Sequence, residues 1–269
     1  MRETSGEFAR GGVVVRTLLS AIALSLGLLV QPSAVVGAGQ LTEEPYIKPL
    51  KRKEPYRLYV FGDSFAAELA DGLRWALRDR KDVTVIKRTK AATGLVRDDV
   101  YDWMAVIREV LDRREPQIVV IAMGGNDRQD MRVAGRRLER FSEPWRAEYL
   151  RRVDRLLSML NESGAAVYWV GLPSVSSTQM TRDYRRFNAY FRQATRRYDM
   201  VFLDVEKLFA GEDGGYSAYG IALDGRMQRL RDGDGIHLTV AGSQKLGEFV
   251  ARRIRADLRA AAAASRSAN

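Results

Sequence analysis

From Tyr56 onward, short apolar runs alternate with longer stretches in which apolar residues recur every three or four positions. The runs at 56–61, 83–86, 118–123, 167–170 and 200–204 are rich in β-branched and aromatic residues and predict five strands. The third run, Ile118-Val-Val-Ile-Ala-Met123, has no polar member, the pattern of a strand covered on both faces. Between the runs, Phe65, Leu69, Leu73 and Leu77 recur every fourth residue and predict a helix over 65–78. Val100, Trp103, Met104, Ile107 and Leu111 give one apolar face to a helix over 98–114. Further helices are expected over 143–161, 182–197 and 239–264. Strands alternating with helices of this length predict an α/β fold: a central five-stranded parallel sheet with helices on both faces, joined by right-handed crossovers. One domain over 56–264 accounts for the pattern, with 265–269 as a disordered tail.

The first 38 residues follow a different pattern. Arg2, Arg10 and Arg16 flank or precede an apolar run over 18–30, which Gln31-Pro32 breaks. The run is too short to span a bilayer, and Val36 and Ala38 stand at the −3 and −1 positions of a cleavage site. The expectation is an export signal cleaved after Ala38 and a periplasmic or secreted body, with membrane attachment only if the signal stays on as an anchor. Residues 39–55 carry Pro45, Pro49 and Pro55 among charged residues and read as a linker or surface arm.

Composition narrows the chemistry. The 269 residues include no cysteine and one histidine. Disulfides, thiolate nucleophiles, iron–sulfur clusters and zinc sites built on Cys or several His are thereby excluded. Any imidazole chemistry belongs to His237. The formal charge is +10, with arginine pairs at Arg136-Arg137, Arg151-Arg152, Arg185-Arg186, Arg196-Arg197 and Arg252-Arg253. Solvated helix faces explain such pairs most simply. The functional alternative is attraction to an anionic polysaccharide or membrane surface. Nucleic acid would need aromatics interleaved with the basic residues, whereas Trp145, Trp169, Tyr184 and Tyr190 fall on core-type spacings.

In an open parallel sheet, ligands bind beyond the carboxyl ends of the strands. The loops to inspect are 62–64, 91–96, 124–130, 171–180 and 208–237. The first reads Gly62-Asp63-Ser64, a serine where strand turns into helix, close to the positive end of the helix dipole. A helix N-cap alone would also explain it. The last reads Asp232-Gly-Asp234-Gly-Ile-His237. Spacing of three lets Asp234 accept from the Nδ1–H of His237 and leaves Nε2 free as a base. Asp232 and Asp234 also resemble the start of a calcium loop, but its twelfth position is Ser243, not Glu. The third strand ends in Gly124-Gly125-Asn126-Asp127, a turn sequence whose Asn126 amide can donate to a developing oxyanion. Gly94 in the second loop offers a bare N–H at the same locus. Together these loops supply a nucleophile, a base, an orienting carboxylate and oxyanion donors, with no metal or organic cofactor required.

These residues resemble the SGNH, or GDSL, hydrolase superfamily, whose markers are Ser, Gly, Asn and His in that order. Gly62-Asp63-Ser64 looks like its first block, Gly94 the glycine of the second, Gly124–Asp127 the third, and Asp234-Gly-Ile-His237 the fifth. The resemblance covers roughly 56–258. It implies a flavodoxin-like three-layer αβα sandwich, Ser64, Asp234 and His237 as catalytic residues, and an oxyanion hole from the Ser64 and Gly94 N–H groups and Asn126. Stretches 92–96, 125–130, 216–220 and 232–239 are most similar to an exported bacterial branch of uncharacterised domains. That branch resembles enzymes of polysaccharide O-acetylation and deacetylation, which implies a small ester or acylated carbohydrate as substrate. An O-acyltransferase with the same triad and a non-catalytic glycan-binding module are the alternatives. The segment 208–232, with several glycines and no clear periodicity, is expected to act as a lid or a specificity element, with Tyr216 and Tyr219 available to stack on a sugar.

Overall fold

Five parallel strands are set by the apolar runs: β1 (Tyr56–Gly62), β2 (Val83–Thr89), β3 (Ile118–Ala122), β6 (Ala166–Val170) and β7 (Val201–Leu203), in the order β2-β1-β3-β6-β7. The structure, a computed structural model, describes residues 44–50 and 54–267. Alternation along each strand divides the core. Leu58 and Val60 of β1 and Ile118, Val120 and Ala122 of β3 face α1 (Ser64–Ala76) and α5 (Val240–Ser267). Tyr59, Phe61, Val119 and Ile121 face the opposite layer, formed by α2 (Trp103–Arg114), α3 (Glu143–Ser163) and α4 (Thr178–Arg196). Both layers are apolar, which is why β3 shows no polar position. After β1 the chain moves to one side for β2 and then crosses to the other for β3. The carboxyl ends of β1 and β3 therefore diverge into a crevice, the usual ligand position in such sheets.

Helix boundaries follow their caps. The second helix begins at Trp103 rather than Asp98, because Asp102 accepts the Ala105 N–H and ends the preceding turn. Val100 lies in that turn and is exposed, so it contributes nothing to the apolar face expected of it. The fourth helix starts at Thr178, four residues before the apolar pattern begins, with Ser177 as its cap. α5 continues through Ser267, which leaves only residues 268–269 of the expected tail, outside the described residues.

Two small hairpins escape the sequence pattern. β4 (Met131–Val133) and β5 (Arg136–Leu138) join through Ala134 and Gly135, both at positive φ, as a two-residue hairpin turn demands. β8 (Tyr219–Ile221) and β9 (Met227–Arg229) lie in the segment expected to be a lid or a specificity element.

The arm before β1 has no helix or strand among its described residues, yet it is packed rather than free. Ile47 is wholly buried. The Tyr46 hydroxyl donates to the Val167 carbonyl and accepts the Val167 and Val201 N–H groups, at 3.0 and 3.3 Å for the latter two. It thereby caps β6 and β7 at their amino ends. The expected export signal lies outside the described residues. Among those described, no helix is long and apolar enough to cross a membrane.

Candidate active site

Gly62 ends β1 at φ +144°, and a Cβ there would sit 1.9 Å from the Ala122 carbonyl oxygen of β3. Only glycine lets the two strands run this close while turning sharply into α1. Asp63 caps that helix, its Oδ1 accepting the Phe65 N–H at 3.0 Å. With the cap taken by Asp63, Ser64 has its hydroxyl free for another partner. That partner is His237: Ser64 Oγ and His237 Nε2 are 2.9 Å apart. On the other side of the ring, Nδ1 lies 2.5 Å from Asp234 Oδ2.

The histidine loop is closed by its own backbone. Asp232 N–H donates to the His237 carbonyl at 2.8 Å, and Arg231 pairs with Leu238 as an isolated antiparallel bridge. Asp234 Oδ1 accepts the N–H groups of Ile236 and His237 at 2.8 and 3.0 Å. One carboxylate oxygen thus shapes the loop and the other orients the imidazole. These donors hold the Asp234 carboxyl down at about 2, the hydrogen bond from His237 first among them. The same bond raises His237 above its ordinary 6.5. Asp234 is therefore engaged by the ring and by the loop backbone.

Asn126 lies in a single 3-10 turn, Gly125–Asp127, at the end of β3. Its Nδ2 donates to Asp63 Oδ2 at 3.0 Å and to the Thr93 carbonyl at 3.1 Å, which joins the first, second and third loops. Burial pushes the Asp63 carboxyl up to about 7, against the pull of the Phe65 and Asn126 donors. Next to Asn126, Asp127 is wholly buried and accepts Leu95 N–H, Val96 N–H and the Tyr149 hydroxyl at 3.1, 2.8 and 2.8 Å. Those bonds hold the Gly94 loop against the third loop. A Cβ on Gly94 would meet Asp127 Oδ1 at 2.2 Å, so the glycine is needed for close packing whatever else it does. Among the described residues, neither the Ser64 N–H nor the Gly94 N–H has an acceptor.

Four of the five residues singled out from the sequence line or adjoin one pocket of about 130 Å³: Ser64, His237 and Asn126 line it directly, and Asp234 stands behind the ring. Gly94 does not line it, and stays one residue beyond the Thr93 carbonyl that Asn126 holds. Phe65, Leu172, Pro173, Val175, Met180 and Tyr184 form an apolar wall.

Two pocket-side residues have no sequence motif. Glu68 stands one turn after Ser64 on α1 and lines the pocket; spacing of four along a helix was its only signal. Arg231 is wholly buried, donates to the Ile236 and Ser174 carbonyls and stacks 4.8 Å from the Phe209 ring centroid. It fastens the histidine loop to the loop after β6. Burial lowers its pKa to about 10.

Of the arginine pairs, most members reach acidic neighbours on solvated faces, as Arg185 does Glu206, Arg197 Asp154 and Arg253 Asp257. Arg152 differs in being buried: besides its ion pairs with Glu148 and Asp98 it donates to the Leu95 and Val96 carbonyls. It braces the Gly94 loop from behind. Trp145, Trp169 and Tyr184 are core residues. Tyr219 projects to solvent on β8, and neither it nor Tyr216 lines the pocket.

Residues 57–253 match the model of a family described as "Protein of unknown function (DUF459)". The chain belongs to this family. No curated protein matches it. Solved structures similar to this DUF459 chain share the SGNH hydrolase fold. A GDSL-like lipase from Bacteroides thetaiotaomicron is 15% identical with a TM-score of 0.52, covering 77% of this chain and 91% of its own. An acetylxylan esterase, Axe2 from Geobacillus stearothermophilus, is 16% identical with a TM-score of 0.53, covering 76% and 96%. The periplasmic domain of a lipopolysaccharide acetyltransferase from Salmonella ser. Paratyphi A is 14% identical with a TM-score of 0.51, covering 76% and 85%. The expected three-layer α/β architecture with a five-stranded parallel sheet is the one observed.

Proposed function

We propose that this DUF459 protein is an exported serine esterase that removes short acyl groups, chiefly O-acetyl, from a carbohydrate. The carrying observation is the unbroken relay from Asp234 through His237 to Ser64, with contacts of 2.5 and 2.9 Å. Asp234 fixes the Nδ1–H tautomer, leaving Nε2 to take the Ser64 proton as Oγ attacks the ester carbonyl. The tetrahedral oxyanion is received first by the Ser64 N–H; the Asn126 amide joins by giving up its bond to Asp63 or to the Thr93 carbonyl, and the Gly94 N–H by a shift of its loop toward the pocket. Collapse expels the sugar hydroxyl, protonated by His237, and leaves an acyl-serine that water hydrolyses with the same base. The small apolar pocket beside Ser64 suits a short acyl chain. Axe2 and the lipopolysaccharide acetyltransferase, as named, act on acetyl groups of carbohydrates, which supports the same class here.

The test is hydrolysis of p-nitrophenyl esters by the purified protein, followed by acetylated oligosaccharides. Acetate is expected to exceed octanoate in kcat/KM by about 10-fold or more, because extra methylenes have no room. Equal rates would remove the short-acyl reading. Acetyl transfer to added sugar with little free acetate would assign the second half-reaction to a hydroxyl acceptor instead of water.

The pH dependence has a defined sign. The base must be neutral, so the rate rises as His237 loses its proton. Its raised pKa places the midpoint above the ordinary 6.5. Asp234→Asn removes the main cause of that shift, so the midpoint falls while kcat drops by about 10³-fold or more, because the tautomer is no longer held. An unchanged midpoint in Asp234→Asn would disconnect the carboxylate from the base.

A further inference from the structure

The histidine loop is bonded to itself and to the loop after β6, through Arg231 on the Ser174 carbonyl and the Ser176 N–H on the Gly235 carbonyl. His237 N–H goes to Asp234, its carbonyl receives Asp232 N–H, and the Ile236 carbonyl receives Arg231. None of these bonds relates the imidazole to α1, the element that carries Ser64. The Leu238 N–H does: it donates to Glu68 Oε2 at 3.1 Å. Glu68 and Ser64 are four residues apart on one helix and so share a face. Apart from the Ser64–His237 contact itself, this is the side-chain hydrogen bond among the described residues that joins the loop to α1.

We propose that Glu68 is a positioning residue: its carboxylate anchors the backbone next to the base onto the nucleophile's own helix, so that His237 Nε2 and Ser64 Oγ are held in register. The inference rests on the esterase reading for its consequence in catalysis, and on geometry alone for the anchor.

A neutral side chain could accept one N–H as well, so the choice of a carboxylate carries a further consequence. Glu68 is partly buried, and desolvation pushes it up to about 7. The groups facing it are the Leu238 N–H, His237 and Arg231, which favour its charge, and Asp234, which opposes it. Glu68 in turn adds to the raised pKa of His237, after the Asp234 hydrogen bond. The base thus has two carboxylates: Asp234 on the ring and Glu68 behind the backbone.

Glu68→Gln keeps an acceptor for Leu238 and removes the charge; Glu68→Ala removes both. In the full chain, Glu68→Ala is expected to lower kcat about 10-fold or more with KM within about 3-fold, and to speed Leu238 amide hydrogen exchange about 10-fold. Glu68→Gln should recover kcat to within about 3-fold and restore slow exchange. The chain's single histidine gives an unambiguous imidazole NMR signal, and its titration midpoint should fall in Glu68→Gln. Wild-type exchange at Leu238 in Glu68→Ala, in a protein shown to be folded by circular dichroism, overturns the anchor. If the wild type lacks Ser64-dependent hydrolysis, the esterase reading fails, and the exchange and titration measurements still decide the role of Glu68.

Discussion

Ser64→Ala abolishes ester hydrolysis, with kcat falling on the order of 10⁴-fold or more, and leaves the protein folded. Loss of the proposed nucleophile removes the covalent route altogether, and what remains is whatever the oxyanion donors give to attack by water. Stability is spared because the helix cap is Asp63, which accepts the Phe65 N–H, and the Ser64 hydroxyl serves only His237. His237→Ala should fall by a similar factor. The double variant should be no worse than either single one, because the two residues act in one step. Steady-state kinetics on p-nitrophenyl acetate, with intact-mass detection of an acetyl adduct, checks both points. A Ser64→Ala protein retaining a tenth of the activity, or forming the adduct, would remove Ser64 from the mechanism.

Gly72→Ala is expected to destabilise the fold by about 3 kcal/mol, at the upper end of what an overpacked core shows. Taken as a helix residue, the change should stabilise by about 1 kcal/mol, since alanine is the better helix former. Packing reverses the sign. A Cβ on Gly72 would lie 1.9 Å from the Ser243 carbonyl oxygen of α5, and one on Gly247 would lie 2.1 Å from the Gly72 carbonyl carbon. Both obstacles are backbone, so α1 and α5 must separate along their length. α1 carries Ser64 at its start, and α5 begins just after His237, so separation also loosens the register of base and nucleophile. Thermal melting should show a midpoint lower by roughly 6–12 °C, with kcat reduced more than KM is raised. A Gly72→Ala midpoint at or above that of the wild type would mean that the helices are not locked at this crossing.

Much of this was legible in the chain. All five strands of the main sheet lie where their apolar runs stand; in the central strands β1, β3 and β6, burial on both faces leaves few polar interruptions, and the edge strands β2 and β7 are marked by β-branched and aromatic residues. Ser64, Asn126, Asp234 and His237 could be singled out because each is a type suited to acyl chemistry at the carboxyl end of a strand or in the closing loop, and the structure brings them around one pocket. Helix starts were less visible. Thr178–Arg196 begins on Ser177, and Trp103 follows an Asp102 cap, so the capping side chain outranked the apolar period at each start. The two hairpins went unseen because Met131–Val133 and Tyr219–Ile221 are only three residues each, too short for alternation to register. Glu68 and Arg231 were hidden for another reason. A charged residue reads as surface by default, and only the fold reveals that Arg231 is enclosed and that Glu68 looks into the pocket.

The Tyr46 bonds to β6 and β7 have a directional consequence. They fix the incoming chain at the amino ends of the strands, whereas Ser64 and His237 stand at the carboxyl ends, about 20 Å away for strands of this length. α5 starts beside His237 and runs antiparallel to the sheet, so Ser267 also emerges on the far side. Immobilising the protein by residue 44 or by residue 267, on a bead, a sensor chip or an envelope, would therefore turn the pocket outward, open to a polymer approaching from the opposite direction.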